Sequence, residues 1–84
     1  MKTIDLSKIQ ITALDGTIQE HDFSKDLAQA VFQNTQLISE HNFAIELFKN
    51  PIVELTTENE GIIVSYTERY FKAFVQIAIK KLIS

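Results

Sequence analysis

Cysteine is absent from these 84 residues. That excludes disulfides, thiolate nucleophiles and cysteine-ligated zinc, and it fits a reducing compartment. Glycine occurs twice, at Gly16 and Gly61, so no glycine-rich loop can cradle a phosphate. Proline occurs once, at Pro51, and tryptophan not at all. Apolar runs are short: Ile62-Ile63-Val64 and Ile77-Ala78-Ile79 are three residues each, where a membrane span needs about 20. The segment Met1 to Lys8 alternates polar and apolar residues and has no continuous apolar region of a signal peptide. A cytoplasmic protein with no membrane partner is expected. Positive charge is also scarce. Eight Lys and Arg stand against eleven Asp and Glu, for a net charge of −3, which disfavours direct nucleic-acid binding.

Apolar residues, by contrast, are plentiful. They make up 45% of the chain, with six Phe and two Tyr, although a domain of this size buries only roughly 60% of its unfolded surface. Either the core is rich for its size or some apolar surface faces a partner. The length allows one domain, residues 1–84, and excludes a (β/α)₈ barrel, which needs about 250 residues.

Residues 1–23 read as a β-hairpin. Ile4, Leu6, Ile9, Ile11 and Ala13 are interleaved with polar residues, Asp15-Gly16 is a two-residue turn signal, and residues 17–21 form the return strand. Residues 24–34 read as a helix capped by Ser24, with Asp26 in its first turn and Leu27, Ala28, Val31 and Phe32 on its apolar side. A second helix is expected from Gln36 to Lys49, ended by Asn50-Pro51. Helical spacing places Leu37, Ile38, His41, Ala44, Ile45 and Phe48 on its core face, with Phe43 and Leu47 to one side. Residues 52–66 carry two patterns. Thr57-x-x-Glu60 followed by Ile62, Ile63, Tyr66 and Tyr70 favours a helix, whereas Ile52–Leu55 and Ile62–Tyr66 also read as a second hairpin.

The segment Glu68 to Ile83 has the strongest helical pattern. Arg69, Lys72, Gln76 and Lys80 form a narrow polar stripe and nearly everything else is apolar, as in a helix central to a core or an interface. Charge divides at the same place. Four Lys and eleven carboxylates precede Arg69, giving −7, and Arg69, Lys72, Lys80 and Lys81 follow with no acid, giving +4. The expected architecture is α+β: an N-terminal β-hairpin packed against three to four helices, with a long apolar C-terminal helix.

Catalytic constellations are missing. His21 and His41 are the only imidazoles, and neither sits in a metal-binding spacing; His41 falls among the apolar residues of its helix, as a hydrogen-bonded core histidine would. No serine lies in G-x-S-x-G. Leu14-Asp15-Gly16-Thr17 is similar to the D-x-D-G-T of aspartate-nucleophile phosphatases, but Ala13 stands where the nucleophile is required. No enzyme activity and no cofactor or metal are expected.

The segments Leu14-Asp15-Gly16, Asp22–Ala28, Ala44–Asn50 and Val53–Thr56 resemble a group of small uncharacterised proteins of bacterial prophages and conjugative elements. The resemblance implies a hairpin followed by helices, a helix after Thr57, and no activity. A small, acidic, cysteine-free chain without catalytic motifs also resembles inhibitors of host defence, of the anti-CRISPR type. The expected function is a protein-interaction module of a phage or mobile element that binds and modulates a host protein. The alternative is a self-associating structural or assembly-chaperone protein, a homodimer in the simplest case. Partner-contact candidates are Phe43, Leu47, Arg69, Lys72, Gln76 and Lys80, with packing beneath the hairpin or the terminal helix the favoured alternative for Phe43 and Leu47.

Overall fold

Alternating burial is the mark of a strand with one wet face, and Ile4 and Leu6 turn inward between exposed or half-buried neighbours. In the computed structural model, which describes residues 2–84, they begin an α+β fold. Its elements are β1 (Thr3–Asp5), β2 (Ile9–Thr12), β3 (Ile18–His21), α1 (Ser24–Asn34), α2 (Ile38–Lys49), β4 (Ile52–Glu54), α3 (Thr57–Tyr70) and α4 (Ala73–Ile83). Met1, the first residue of the expected hairpin, lies outside the described residues.

The expected hairpin over residues 1–23 is shorter than its pattern. β2 pairs antiparallel with β3, from Ile9 opposite His21 to Thr12 opposite Ile18. Its loop is longer than two residues: Ala13 N–H donates to Thr17 C=O at 2.8 Å, enclosing Leu14, Asp15 and Gly16. Gly16 closes the turn at φ +88°, a backbone angle that a side chain would oppose. β1 belongs to a different sheet. It pairs antiparallel with β4, Ile4 lying opposite Val53. Residues 52–54, the start of the stretch 52–66 that reads as helix or as a second hairpin, are thus a strand whose partner is the N-terminal β1.

From Thr57 onward the helical reading holds. The cap is one residue earlier than the Thr57 pattern implies: Thr56 Oγ1 accepts from Asn59 N–H at 3.0 Å, and Asn59 Nδ2 donates to Glu54 C=O at 2.8 Å. At α1 the roles are also shifted. Ser24 does not cap by accepting; its N–H and hydroxyl both donate to Asp22 Oδ1, at 2.9 and 2.6 Å. Asp5 and Ser7 repeat this turn, with Ser7 N–H donating at 3.0 Å and its hydroxyl at 2.5 Å. A backbone bond from Phe23 N–H to Leu6 C=O, 3.1 Å, joins the two turns.

The expected single helix from Glu68 to Ile83 is two helices. Phe71 and Lys72 adopt extended backbone between α3 and α4, although neither glycine nor proline interrupts the sequence there. Tertiary contacts hold the break. The Phe71 ring is half-buried against Phe23, centroids 5.9 Å apart, and Gln76 Nε2 donates to Phe71 C=O at 2.9 Å. The bend turns α4 back against β2 and α3. Val75 and Ile79 enter the core with Ile4, Leu6, Ile9, Leu27, Val31, Leu47, Ile63 and Tyr66. Phe74 and Ile77 stay on the surface, so α4 is not buried around its circumference.

The hydroxyl of Ser24 beside Asp22, then its N–H, hold that carboxyl below the usual range, and Ser7 does the same for Asp5. Carboxyls depressed in the folded state stabilise it above the unfolded pKa, near 3.9, and that stability is lost as pH falls below it through the folded values. Stability measured by urea unfolding should therefore fall at acid pH, and Asp22→Asn should make that fall shallower. Separately, Thr67 Oγ1 is buried with no hydrogen-bond partner among the described residues. Thr67→Val should raise stability by about 1 kcal/mol, because an unsatisfied buried hydroxyl is costly; a lower urea midpoint would contradict this.

Candidate protein-docking face

Helix α2 turns most of its expected core face outward. Leu47, set to one side by the spacing argument, is 1% exposed, and Phe43 is half-buried against the core. Leu37, Ile38, Ile45 and Phe48, expected in the core, lie on the surface, and of that face only Ala44 is buried. Periodicity identifies a stripe, but a helix with apolar residues on two adjacent sides offers two stripes. Packing against α1 and the core selects the Ala44–Leu47 side. Leu47 therefore presents no surface to a partner, and Phe43 presents part of its ring.

Helix α1 contributes Phe32 to the same outward face, 51% exposed where the sequence suggested core. Helices α1 and α2 run antiparallel. At one end the Lys25 ammonium lies 5.5 Å from the centre of the Phe48 ring, within cation–π range. At the other end Phe32 lies 5.1 Å from the His41 ring. His41 is therefore half-buried against an aromatic neighbour rather than enclosed in the core. Between the helices runs a groove of about 240 Å³, with Ala28 and Ala44 as floor, Phe32, Ile45 and Phe48 as walls, and Gln29 and Lys49 at its margin. Leu37 and Ile38 extend the apolar surface past the His41 end.

A polar clasp fixes the start of α2. Glu40 Oε1 accepts from Tyr66 Oη at 2.7 Å and from Thr35 Oγ1 at 2.8 Å. Burial and then the Glu40 carboxylate push the Tyr66 phenol above its ordinary pKa, so it remains a donor at neutral pH. The start of α2 is thereby tied to α3.

The C-terminal candidates do not form one stripe. Arg69 lies in the last turn of α3, its guanidinium 5.9 Å from the Tyr66 ring centre. Lys72 is exposed in the break ahead of α4. Gln76 is half-buried and occupied with Phe71 C=O, and Lys80 pairs with Glu68 at 3.1 Å, both side chains half-exposed. A second apolar surface lies nearby. Phe74 and Ile77 line a small depression with Gln10, Thr12 and Lys81, and Ile18 is exposed on the neighbouring strand.

Among the described residues no group of three or more His, Asp or Glu could hold a metal ion, and no helix is long and apolar enough to cross a membrane. Compared with protein families, curated proteins and solved structures, the chain matches none.

Surface and core are separable by substitution. Phe32→Ser and Phe48→Ser should each cost about 1 kcal/mol or less, because half of each ring is already in water. Leu47→Ala should cost about 2–5 kcal/mol by opening a cavity. Urea denaturation of the three variants checks the ordering.

Proposed function

We propose that this chain is a non-catalytic protein-interaction module that docks a partner protein on its α1–α2 face. The observation that carries the reading is the gathering of Phe32, Leu37, Ile38, Ile45 and Phe48 as exposed apolar side chains on one helical pair. Exposed apolar surface gathered on one face of a domain is the signature of an interaction site. The resemblance to small proteins of prophages and conjugative elements supports a bacterial host protein as the partner, modulated in the cytoplasm by occlusion, as anti-defence inhibitors of the anti-CRISPR type act. A photo-crosslinking amino acid at Gln29, in bacteria producing the full chain, should yield a discrete adduct with one protein. Phe48→Glu should abolish the adduct, and the same crosslinker at Glu58, exposed on α3, should not form it. Equal adducts from Gln29 and Glu58, or none from Gln29, would exclude the reading.

A second reading, self-association, is supported by a separate observation: Phe74 is 52% and Ile77 58% exposed on α4. Because neither is core, aspartate at either position should leave the fold intact and act only on assembly. Light scattering at high micromolar concentration should then show an oligomer that Phe74→Asp dissolves. A strict monomer in the unsubstituted chain would eliminate this second reading.

A further inference from the structure

We propose that the occupant of the α1–α2 groove is a single amphipathic helix of the partner, with a carboxylate at the end that overlies Lys25 and Lys49. The inference rests on the docking reading and adds the partner's shape, charge and direction.

Shape comes first. The groove floor is two buried alanines, Ala28 and Ala44, and small side chains between two helices let a third approach within helix-packing distance. Helices α1 and α2 span 11 and 12 residues, roughly 17 Å of axis at 1.5 Å per residue, which matches about three turns of a partner. Phe32 and Phe48 remain half-exposed, so the groove is open along one side. A small apolar ligand would stay largely in water there, whereas buried ligands lose most of their surface to the pocket. An extended strand would need backbone partners that helical side chains do not supply. An amphipathic helix satisfies its own backbone and needs to bury one face only.

Charge supplies the direction. The antiparallel arrangement brings Lys25, in the first turn of α1, to the same end as Lys49, in the last turn of α2. Neither ammonium belongs to an ion pair among the described residues, where Lys80–Glu68 is the one salt bridge; Asp22, the carboxylate that feels Lys25, accepts from the Ser24 N–H and hydroxyl. At 100° per residue, Asp26 and Glu46 lie around their helices from the groove side, Glu46 against a different depression with Leu47 and Asn50. Glu40, near the opposite end, is occupied by Tyr66 and Thr35. The groove is therefore apolar with cations at one end, complementary to an apolar helix with an acid at one end. A second copy fits poorly. The exposed apolar face of α4 has Lys81 beside it and no carboxylate in the helix, so docking it would place cations on cations.

A yeast-displayed library of about 16-residue helix-forming peptides, about four turns, selected against the full chain provides the test. Enriched peptides should carry apolar residues at i, i+3 or i+4 and i+7, with Asp or Glu toward one end. Their affinity should drop about tenfold or more with Phe48→Ser, and about tenfold with the pair Lys25→Glu and Lys49→Glu, and Lys in place of the peptide acid should restore binding to that charge-reversed pair. Groove-dependent peptides without acids, or indifferent to the charge reversal, would overturn the acidic-helix inference while leaving the docking face standing. Peptides indifferent to Phe48→Ser, or no enrichment at all, would overturn both. Laurate displacing the peptides and shifting the Phe32 and Phe48 ring resonances at low micromolar concentration would reassign the groove to an anionic amphiphile and overturn the helical occupant.

Discussion

The antiparallel pairing of β1 with β4 ties the N-terminal segment to the middle of the chain. Thr3 lies opposite Glu54 and Asp5 opposite Ile52, and the ladder continues beyond the strands through Leu6 N–H to Pro51 C=O and Leu55 N–H to Lys2 C=O. A contact across so much chain carries a loop-closure cost, and the burial of Ile4, Leu6 and Val53 offsets it. Once that pairing closes, the β2–β3 hairpin and the α1–α2 pair are excursions from a fixed base. The same N-terminal segment reaches the other end of the chain. Lys2 Nζ donates to Ile83 C=O at 2.9 Å and to Ser84 C=O at 3.0 Å, which serves the free carbonyls at the end of α4.

The apolar surplus in the composition divides in two. Part becomes a core drawing on all four helices and three of the four strands. The remainder cannot enter, because a domain of this size has too little interior to bury it. Most of it lies on two faces, the α1–α2 groove and the α4–hairpin surface, while Leu14 in the hairpin loop, Ile52 on β4 and Tyr70 at the end of α3 are exposed apart from them. The Glu40–Tyr66–Thr35 clasp and the Lys25–Phe48 contact hold the α1–α2 groove in a defined shape, and a preformed shape lowers the entropy cost of binding.

Some of this was legible from residue order. The Asp15-Gly16 turn, the helix after Asp22, the stop at Asn50-Pro51 and the helical character beyond Thr57 all depend on near neighbours, and each is present. The break at Phe71-Lys72 was not legible, because no proline or glycine marks it and its supports, Phe23 and the folded-back Gln76, are assembled by the fold. The outward turn of one side of α2 was not legible either. Leu37, Ile38, Ile45 and Phe48 are as apolar as Phe43, Ala44 and Leu47, and hydropathy cannot rank two adjacent apolar stripes. The exposed apolar face was not legible for that reason, although the unusual width of the apolar sector on that helix was its available signal.

Composition and local pattern thus determined the class of the protein: small, α+β, acidic through its first 68 residues, with more apolar side chain than a core of its size can hold. These are properties of residues and their near neighbours, and they survive without knowledge of the fold. Which apolar side chains stay outside, and which cations accompany them, was decided by tertiary structure alone. That choice follows from the β1–β4 closure and the bend before α4, and both arise from contacts between segments far apart in sequence.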